Sequence, residues 1–276
     1  MSTHPAISAG NVAVITGGAD GIGLAAARYF HAQGMKLVLA DVNGETLAAA
    51  VAQLPGAIGV ETDVASAQSV ESLRSRAYEA FGQVDVLMNN AGTAAHSTPW
   101  TEPEAWRKTL EINLWGVING VQVFVPAMLE QGTVGLIINT GSKQGITTPP
   151  GNPAYNVSKA GIKALTEALQ HELRNTEGCK LSAHLLVPGF TYTGMIRQFL
   201  PEKPDGAWTA EQVVEYMVSA IDGGKFYIIC PDNDTTEGMD KKRMAWAMGD
   251  LIEGRPPLSR WHPDYADDFA CHMQDD

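Results

Sequence analysis

The stretch Tyr155-Asn156-Val157-Ser158-Lys159 puts a phenol and an ammonium four residues apart just inside a predicted helix, so both side chains share one face. Asn152 and Pro153 fit a helix start, and Ala160, Ile162, Ala164, Leu165, Ala168, Leu169 and Leu173 continue at roughly helical period. A free tyrosine titrates at about 10. An adjacent cation and the positive end of a helix both favour phenolate, so this spacing predicts a tyrosine moved toward a proton acceptor at neutral pH, with no metal needed. Such a pair alone serves equally well on a solvated helix face, and the elements that would position it must decide.

The chain first offers a dinucleotide-binding start. Val12-Ala13-Val14-Ile15 is a short apolar run of the kind buried on both faces of a parallel sheet. It leads into Thr16-Gly17-Gly18-Ala19-Asp20-Gly21-Ile22-Gly23, after which Leu24, Ala27, Phe30 and Ala32 predict a helix ending near Gly34. In such a strand, turn and helix, glycines let the backbone approach a pyrophosphate and the helix N-terminus attracts its charge. A second strand, Lys36 to Ala40, ends in Asp41, twenty residues after Gly21. A carboxylate there accepts hydrogen bonds from an adenosine ribose and repels a ribose phosphate, and Asp20 adds a second negative charge, so NAD is expected over NADP. An acid at a strand end also caps turns.

The alternation then repeats. Helices are expected over about 45–54, 66–81 and 103–128, and strands at about 57–61, 84–88 and 135–139. The strand ending at Met88 runs into Asn89-Asn90-Ala91-Gly92, small and polar residues where a parallel sheet presents its carboxyl ends to a ligand. Strands separated by helices of about ten or more residues predict a doubly wound parallel α/β sheet of Rossmann type, as a single domain with a helical C-terminal extension. The boundaries expected are 1–230 for the cofactor-binding and catalytic domain and 231–276 for the extension.

Together these motifs resemble the short-chain dehydrogenase/reductase family in its compact one-domain form, over residues 12 to about 230. The resemblance rests on T-G-x-x-x-G-x-G at 16–23, Asp63, Asn89-Asn90-Ala91-Gly92, Asn113, Ser142, Tyr155 with Lys159, and Pro188-Gly189, in family order and spacing. It implies that Tyr155 exchanges the substrate proton and that Lys159 lowers its pKa while binding the nicotinamide ribose. Ser142, thirteen residues before Tyr155, would hold the substrate oxygen, and Asn113 would anchor a water chain to Lys159. Cofactor contacts are implied for Gly17, Asp20, Gly21, Ile22, Gly23, Asp41, Asp63, Val64, Asn90, Ala91, Gly92, Pro188, Gly189 and Thr193, with Asp63 and Asn90 flanking the adenine and its ribose. After Phe190 the family commonly has an aliphatic residue and then threonine, whereas this chain reads Thr191-Tyr192-Thr193. Lys143, beside Ser142, is expected to point to solvent in preference to meeting an anionic substrate group.

The expected activity is therefore NAD-dependent oxidation of a secondary alcohol, or the reverse reduction of a ketone. Rival readings are a catalytically idle NAD-binding regulator, and lyase or epimerase chemistry on the same fold. Gly141-Ser142-Lys143-Gln144-Gly145 is not a G-x-S-x-G hydrolase turn, and the seven histidines show no paired metal-ligand spacing, so no metal is expected. Phe190, Tyr192, Met195, Ile196, Phe199, Leu200 and Trp208 follow the sixth strand, and with Trp100, Pro149 and Pro150 they suggest a bulky apolar or aromatic substrate.

Composition narrows the class further. A formal charge of −12 disfavours nucleic acid and anionic membrane surfaces, and 45% hydrophobic content supports a substantial core. No basic leader or stretch of about eighteen consecutive apolar residues is present, and Cys179, Cys230 and Cys271 read as reduced thiols, so a cytoplasmic protein is expected. In the extension, Asp234 and Glu237 suggest a helix start, Met244, Met248 and Leu251 follow at helical spacing, and Gly254-Arg255-Pro256-Pro257 ends it. Trp246, Trp261 and Tyr265 predict docking, over the substrate mouth or onto a neighbour in a homodimer or homotetramer. The competing expectation is a satellite helix with a disordered acidic end at Asp267, Asp268, Asp275 and Asp276.

Overall fold

A computed structural model describes residues 4–274. β1 (Val12–Thr16), α1 (Gly21–Ala32), β2 (Lys36–Asp41), α2 (Gly44–Val51), β3 (Ile58–Glu61), α3 (Ala67–Phe81) and β4 (Val86–Asn89) form the first half. The chain continues through α4 (Pro103–Leu110), a π-helical turn (Glu111–Trp115) and α5 (Gly116–Gln131) to β5 (Gly135–Thr140), α6 (Gln144–Thr147), α7 (Pro153–Asn175) and β6 (Leu181–Val187). Then come α8 (Gly194–Arg197), α9 (Ala210–Asp222), β7 (Tyr227–Ile229), α10 (Glu237–Glu253) and α11 (Ala266–Gln274).

The seven strands are ordered β3-β2-β1-β4-β5-β6-β7 and every pair is parallel. This is the expected doubly wound sheet. β1, β4 and β5 are buried throughout, which matches their unbroken apolar runs, whereas edge strand β3 alternates between half-buried and exposed residues. Phe30 of α1 and Val213 and Met217 of α9 pack on one face, and Leu73 of α3, Phe124 of α5 and Leu173 of α7 on the other. The strand order reverses between β1 and β4, so a crevice opens at their carboxyl ends.

Three departures from the sequence reading have physical causes. The helix expected over 103–128 is interrupted by the π-helical turn that contains Asn113; Asn113 bonds to the Thr93 backbone and to Ser158, tertiary contacts that local periodicity cannot foresee. That whole stretch, Pro103–Gln131, is long and apolar enough to cross a membrane by length and composition, yet half of its apolar part is buried within this fold. Second, α10 is capped by Thr236, whose side chain accepts the Met239 N–H, and not by the Asp234–Glu237 pair. Third, Asp267 and Asp268 open α11 instead of lying in a disordered end, while Asp275 and Asp276 lie outside the described residues.

The extension carries its own small polar knot. Trp246 is buried and donates from Nε1 to Ser259 Oγ at 2.8 Å, while the Arg255 guanidinium lies 4.0 Å from its ring centroid. Asp250 gathers the Ser259 N–H at 3.1 Å and Arg255 Nε at 3.0 Å. Fixed in this way, α10 packs against α6, the short helix that begins two residues after Ser142.

Candidate active site

The start of α7 is set by Asn152, whose side chain accepts the Tyr155 N–H, and by Pro153 at the first helical position. This holds Tyr155 at the crevice and Lys159 one turn deeper. The Lys159 side chain is buried with Nζ donating to the Thr140 carbonyl at 2.9 Å, and it lies 5.6 Å from the Tyr155 ring centroid. Ser142, two residues beyond β5, faces the same crevice and accepts the Gln144 N–H. Asn113 is fully buried: its Oδ1 accepts the Thr93 N–H at 2.8 Å, and its Nδ2 donates to the Thr93 carbonyl and to Ser158 Oγ. Ser158 in turn donates to the Tyr155 carbonyl at 2.7 Å, so Asn113 is tied to the first turn of α7.

The electrostatics correct the expectation of a lowered tyrosine. Burial pushes the Tyr155 phenol up, opposed by its hydrogen bond with the Ser142 side chain, and burial brings the Lys159 ammonium down to about 8. At this separation the cation does not overcome desolvation. The protein by itself therefore holds Tyr155 protonated at neutral pH.

On the other wall of the crevice, recognition is built from backbone. Gly17 and Gly21 have φ of +63° and +55°, and a Cβ on Gly23 would meet the Gly17 carbonyl oxygen at 2.1 Å. Thr16 Oγ1 accepts the N–H groups of Asn90 and Ala91, and Asn90 Nδ2 donates back to the Thr16 and Gly17 carbonyls. Asn90 Oδ1 accepts from the Thr140 hydroxyl. The Asn90 side chain thus holds the turn while Asn90 also lines the crevice. Asp41 lines the crevice, with its carboxylate accepting the Ala19 and Asn43 N–H groups.

Asp63 and Val64 do not join this lining: Asp63 caps its own turn through the Ala65 N–H, and the Val64 side chain packs against Gly116. Gly23 also lies outside it, packed under the turn. Asp20 does line the crevice, but Arg197 of α8 grips its carboxylate at 2.7 Å, an ion pair between segments far apart in sequence.

The loop after β6 closes the crevice with Pro188, Gly189, Thr193, Phe190, Met195 and Ile196. Thr193 lies against Gly21, where an added Cβ would meet its side chain at 3.1 Å, and Thr191 is turned inward with its hydroxyl on the Gly189 carbonyl. The apolar set divides. Trp208 stacks edge-on against Tyr216 in the core, whereas Trp100 and Phe199 are 85% and 70% exposed, away from the lining.

Lys143 does not point to solvent. Its ammonium pairs with Asp240 of α10 at 2.7 Å and with Asp232 at 3.4 Å, and Asp232 also accepts the Phe190 N–H. Asp232, Asp240 and Arg197 were not singled out in the sequence, since nothing in their local spacing places them beside Ser142 or Asp20.

The crevice has a volume of about 470 Å³ and is lined by Gly17, Gly21, Gly92, Gly141 and Gly189, with the N-terminus of α1 opening onto it. Backbone this bare, beside a helix N-terminus and a ribose-height carboxylate, fits a nicotinamide dinucleotide.

Residues 11–204 match the model of the family described as short chain dehydrogenase. The 1-deoxy-11-beta-hydroxypentalenate dehydrogenase of Streptomyces exfoliatus is 30% identical over 259 residues, covering 90% of this chain and 93% of that protein. The 3beta-hydroxysteroid dehydrogenase 2 of Eggerthella lenta is 35% identical over 199 residues, covering 70% and 75%. Among solved structures, a short chain dehydrogenase/reductase from Burkholderia phymatum in complex with NAD superposes with a TM-score of 0.82 at 36% identity, covering 90% of this chain and 96% of that one.

Proposed function

The chain belongs to the short-chain dehydrogenase/reductase family, and from that premise we propose that it moves a hydride between NAD and a secondary alcohol or ketone on a bulky, apolar molecule, with Tyr155 as the acid and base. The observation that carries this reading is the convergence of Ser142, Tyr155 and Lys159 on the crevice that the glycine turn and Asp41 wall from the opposite side. When bound, the nicotinamide supplies the hydride acceptor or donor. Ser142 and Tyr155 hydroxyls hold the substrate oxygen, where a developing charge needs donors. Because burial keeps the phenol protonated, Tyr155 is ready to donate to a ketone oxygen; in the oxidative direction its own proton must first leave to solvent, and the phenolate then takes the alcohol proton.

Lys159 holds the ribose side and sets the local charge, while Asn113 positions the first turn of α7 through Ser158. Asp41 favours NAD, and its ordered carboxylate supports that choice. The hydroxysteroid and hydroxypentalenate named for two relatives are in keeping with the apolar residues Phe190, Met195 and Ile196 at the mouth. We place the enzyme in the cytoplasm as a homodimer or homotetramer.

The test is a panel of cyclic and aryl secondary alcohols with NAD, followed at the nicotinamide absorbance band. Substrate-dependent growth of that band is expected. Product formation without it would replace hydride transfer by lyase or epimerase chemistry, and binding of NAD without turnover of any alcohol would leave the regulator reading.

A further inference from the structure

Next to the crevice, with Lys143 and Gln144 lining both, is a second cavity of about 310 Å³ between α6 and the extension. Its charged lining is Lys143, Asp240, Arg243 and Arg260. Lys143 is already engaged by Asp240 and Asp232, but the two arginines are not: among the described residues no carboxylate lies within 4.0 Å of either guanidinium. Each is nevertheless held in place. Arg243 donates from one terminal nitrogen to Thr235 Oγ1 at 3.1 Å, and its buried Nε has no partner among the described residues. The Arg260 guanidinium rests against Trp261 and Phe269, 4.8 and 5.2 Å from the ring centroids.

Two fixed guanidiniums facing one small cavity repel each other. Burial and the charge of Arg243 both push Arg260 down, and a buried N–H without an acceptor is costly as well. An anion between them relieves all three. The charge count limits what kind: three cations, Lys143, Arg243 and Arg260, stand against two carboxylates, Asp232 and Asp240, a single positive excess that one carboxylate balances and a dianionic phosphate exceeds. The remaining walls are mostly apolar, with Ile146, Pro149, Ile229, Met244 and Trp261 beside Gln144 and Thr147.

We propose that this cavity is the far end of the substrate site, where Arg243 and Arg260 receive the carboxylate of an apolar hydroxy or keto acid whose reacting carbon lies at Ser142 and Tyr155. The inference rests on the function proposed above and deepens it. Arg243 and Arg260 are thereby specificity-determining residues, contributed by the extension, and guanidinium forks suit a carboxylate.

Binding and turnover separate this inference from the reading beneath it. The NAD-loaded full chain is titrated with 2-naphthoate and with methyl 2-naphthoate, read by calorimetry. The acid should bind at least about tenfold tighter than the neutral ester, the scale of one charge-assisted contact. In the Arg243→Gln/Arg260→Gln double variant this preference should fall to about twofold or less, with NAD affinity retained, and Arg260→Lys should keep part of it. Equal affinity for acid and ester in the unmodified protein, or a preference that survives in the folded double variant, overturns the proposal. The titration needs no catalysis, so it can succeed even where hydride transfer fails. With turnover, 6-(1-hydroxyethyl)-2-naphthoate should exceed its methyl ester at least about tenfold in kcat/KM, chiefly through KM, and equal values would also overturn the assignment.

Discussion

The crevice and the cavity beside it are walled by opposite strategies. The glycine-turn wall uses bare backbone: Gly17 and Gly21 at positive φ, Gly23 packed under a carbonyl, and Thr16 and Asn90 tying the turn to β4 and β5. Its parts are continuous in sequence or fall at strand ends. The extension wall uses charged side chains brought together from four places, Lys143 after β5, Asp232 after β7, Asp240 and Arg243 on α10, and Arg260 beyond it. A backbone cradle suits a cofactor with a fixed pyrophosphate, whereas a side-chain cluster can be altered one residue at a time to suit a substrate. Tyr155 and Lys159 stand at the seam between them.

The largest effect should come from the seam. Tyr155→Phe removes one hydroxyl and leaves the ring packing and the glycine turn untouched. Turnover should fall by at least about a hundredfold, the scale of acid–base catalysis, while NAD affinity stays within about twofold. Steady-state kinetics with a nucleotide titration checks both numbers. Persistent turnover would move the proton transfer to another group and dissolve the seam as the chemical centre.

A smaller change sharpens the contrast between the walls. Asp41→Ala should narrow the preference for NAD over NADP, expected to be at least about tenfold, because it removes the carboxylate that repels a ribose phosphate. The same variant should leave the acid-over-ester preference alone, since Asp41 lines only the glycine-turn side. Titration with both nucleotides and both naphthyl ligands separates the two effects. Equal NAD and NADP affinities in the unmodified protein would remove Asp41 from the ribose.

The same contrast explains what could be read without coordinates. The strands and the glycine turn were legible because each follows from local rules: apolar runs for strands buried on both faces, and glycine where the backbone must bend or approach closely. Ser142, Tyr155 and Lys159 were found through fixed spacing along the chain. Lys143 was misplaced in solvent because its partners lie 89 and 97 residues away, and no period in the sequence announces an ion pair between a loop and a helix added after the last strand. Arg197 on Asp20 escaped notice for the same reason. The tyrosine pKa was read with the wrong sign because spacing reveals a neighbouring charge but not the depth at which both groups lie.

That depth has a measurable consequence at Lys159. Its folded pKa is about 8, against about 10.4 for an unfolded lysine. Below pH 8 both states carry the proton and the cost of burying the charge is present in full. Between the two values the unfolded chain keeps a proton that the folded chain has shed, so this residue makes stability rise with pH, at up to about 1.4 kcal/mol per unit. Cys230 acts in the other direction: its thiol is pushed up to about 12, so it stays protonated in the fold while the unfolded thiol ionises above about 9, and stability falls there. The window that isolates Lys159 is therefore about pH 8 to 9. Urea unfolding of the cofactor-free protein across that window should show a rise that Lys159→Met lacks, with a difference between the two of roughly 1 kcal/mol. Parallel profiles would mean that Lys159 keeps its ordinary pKa in the fold. The ammonium would then stay charged through the alkaline range as well, and burial would not be what sets the proton on Lys159.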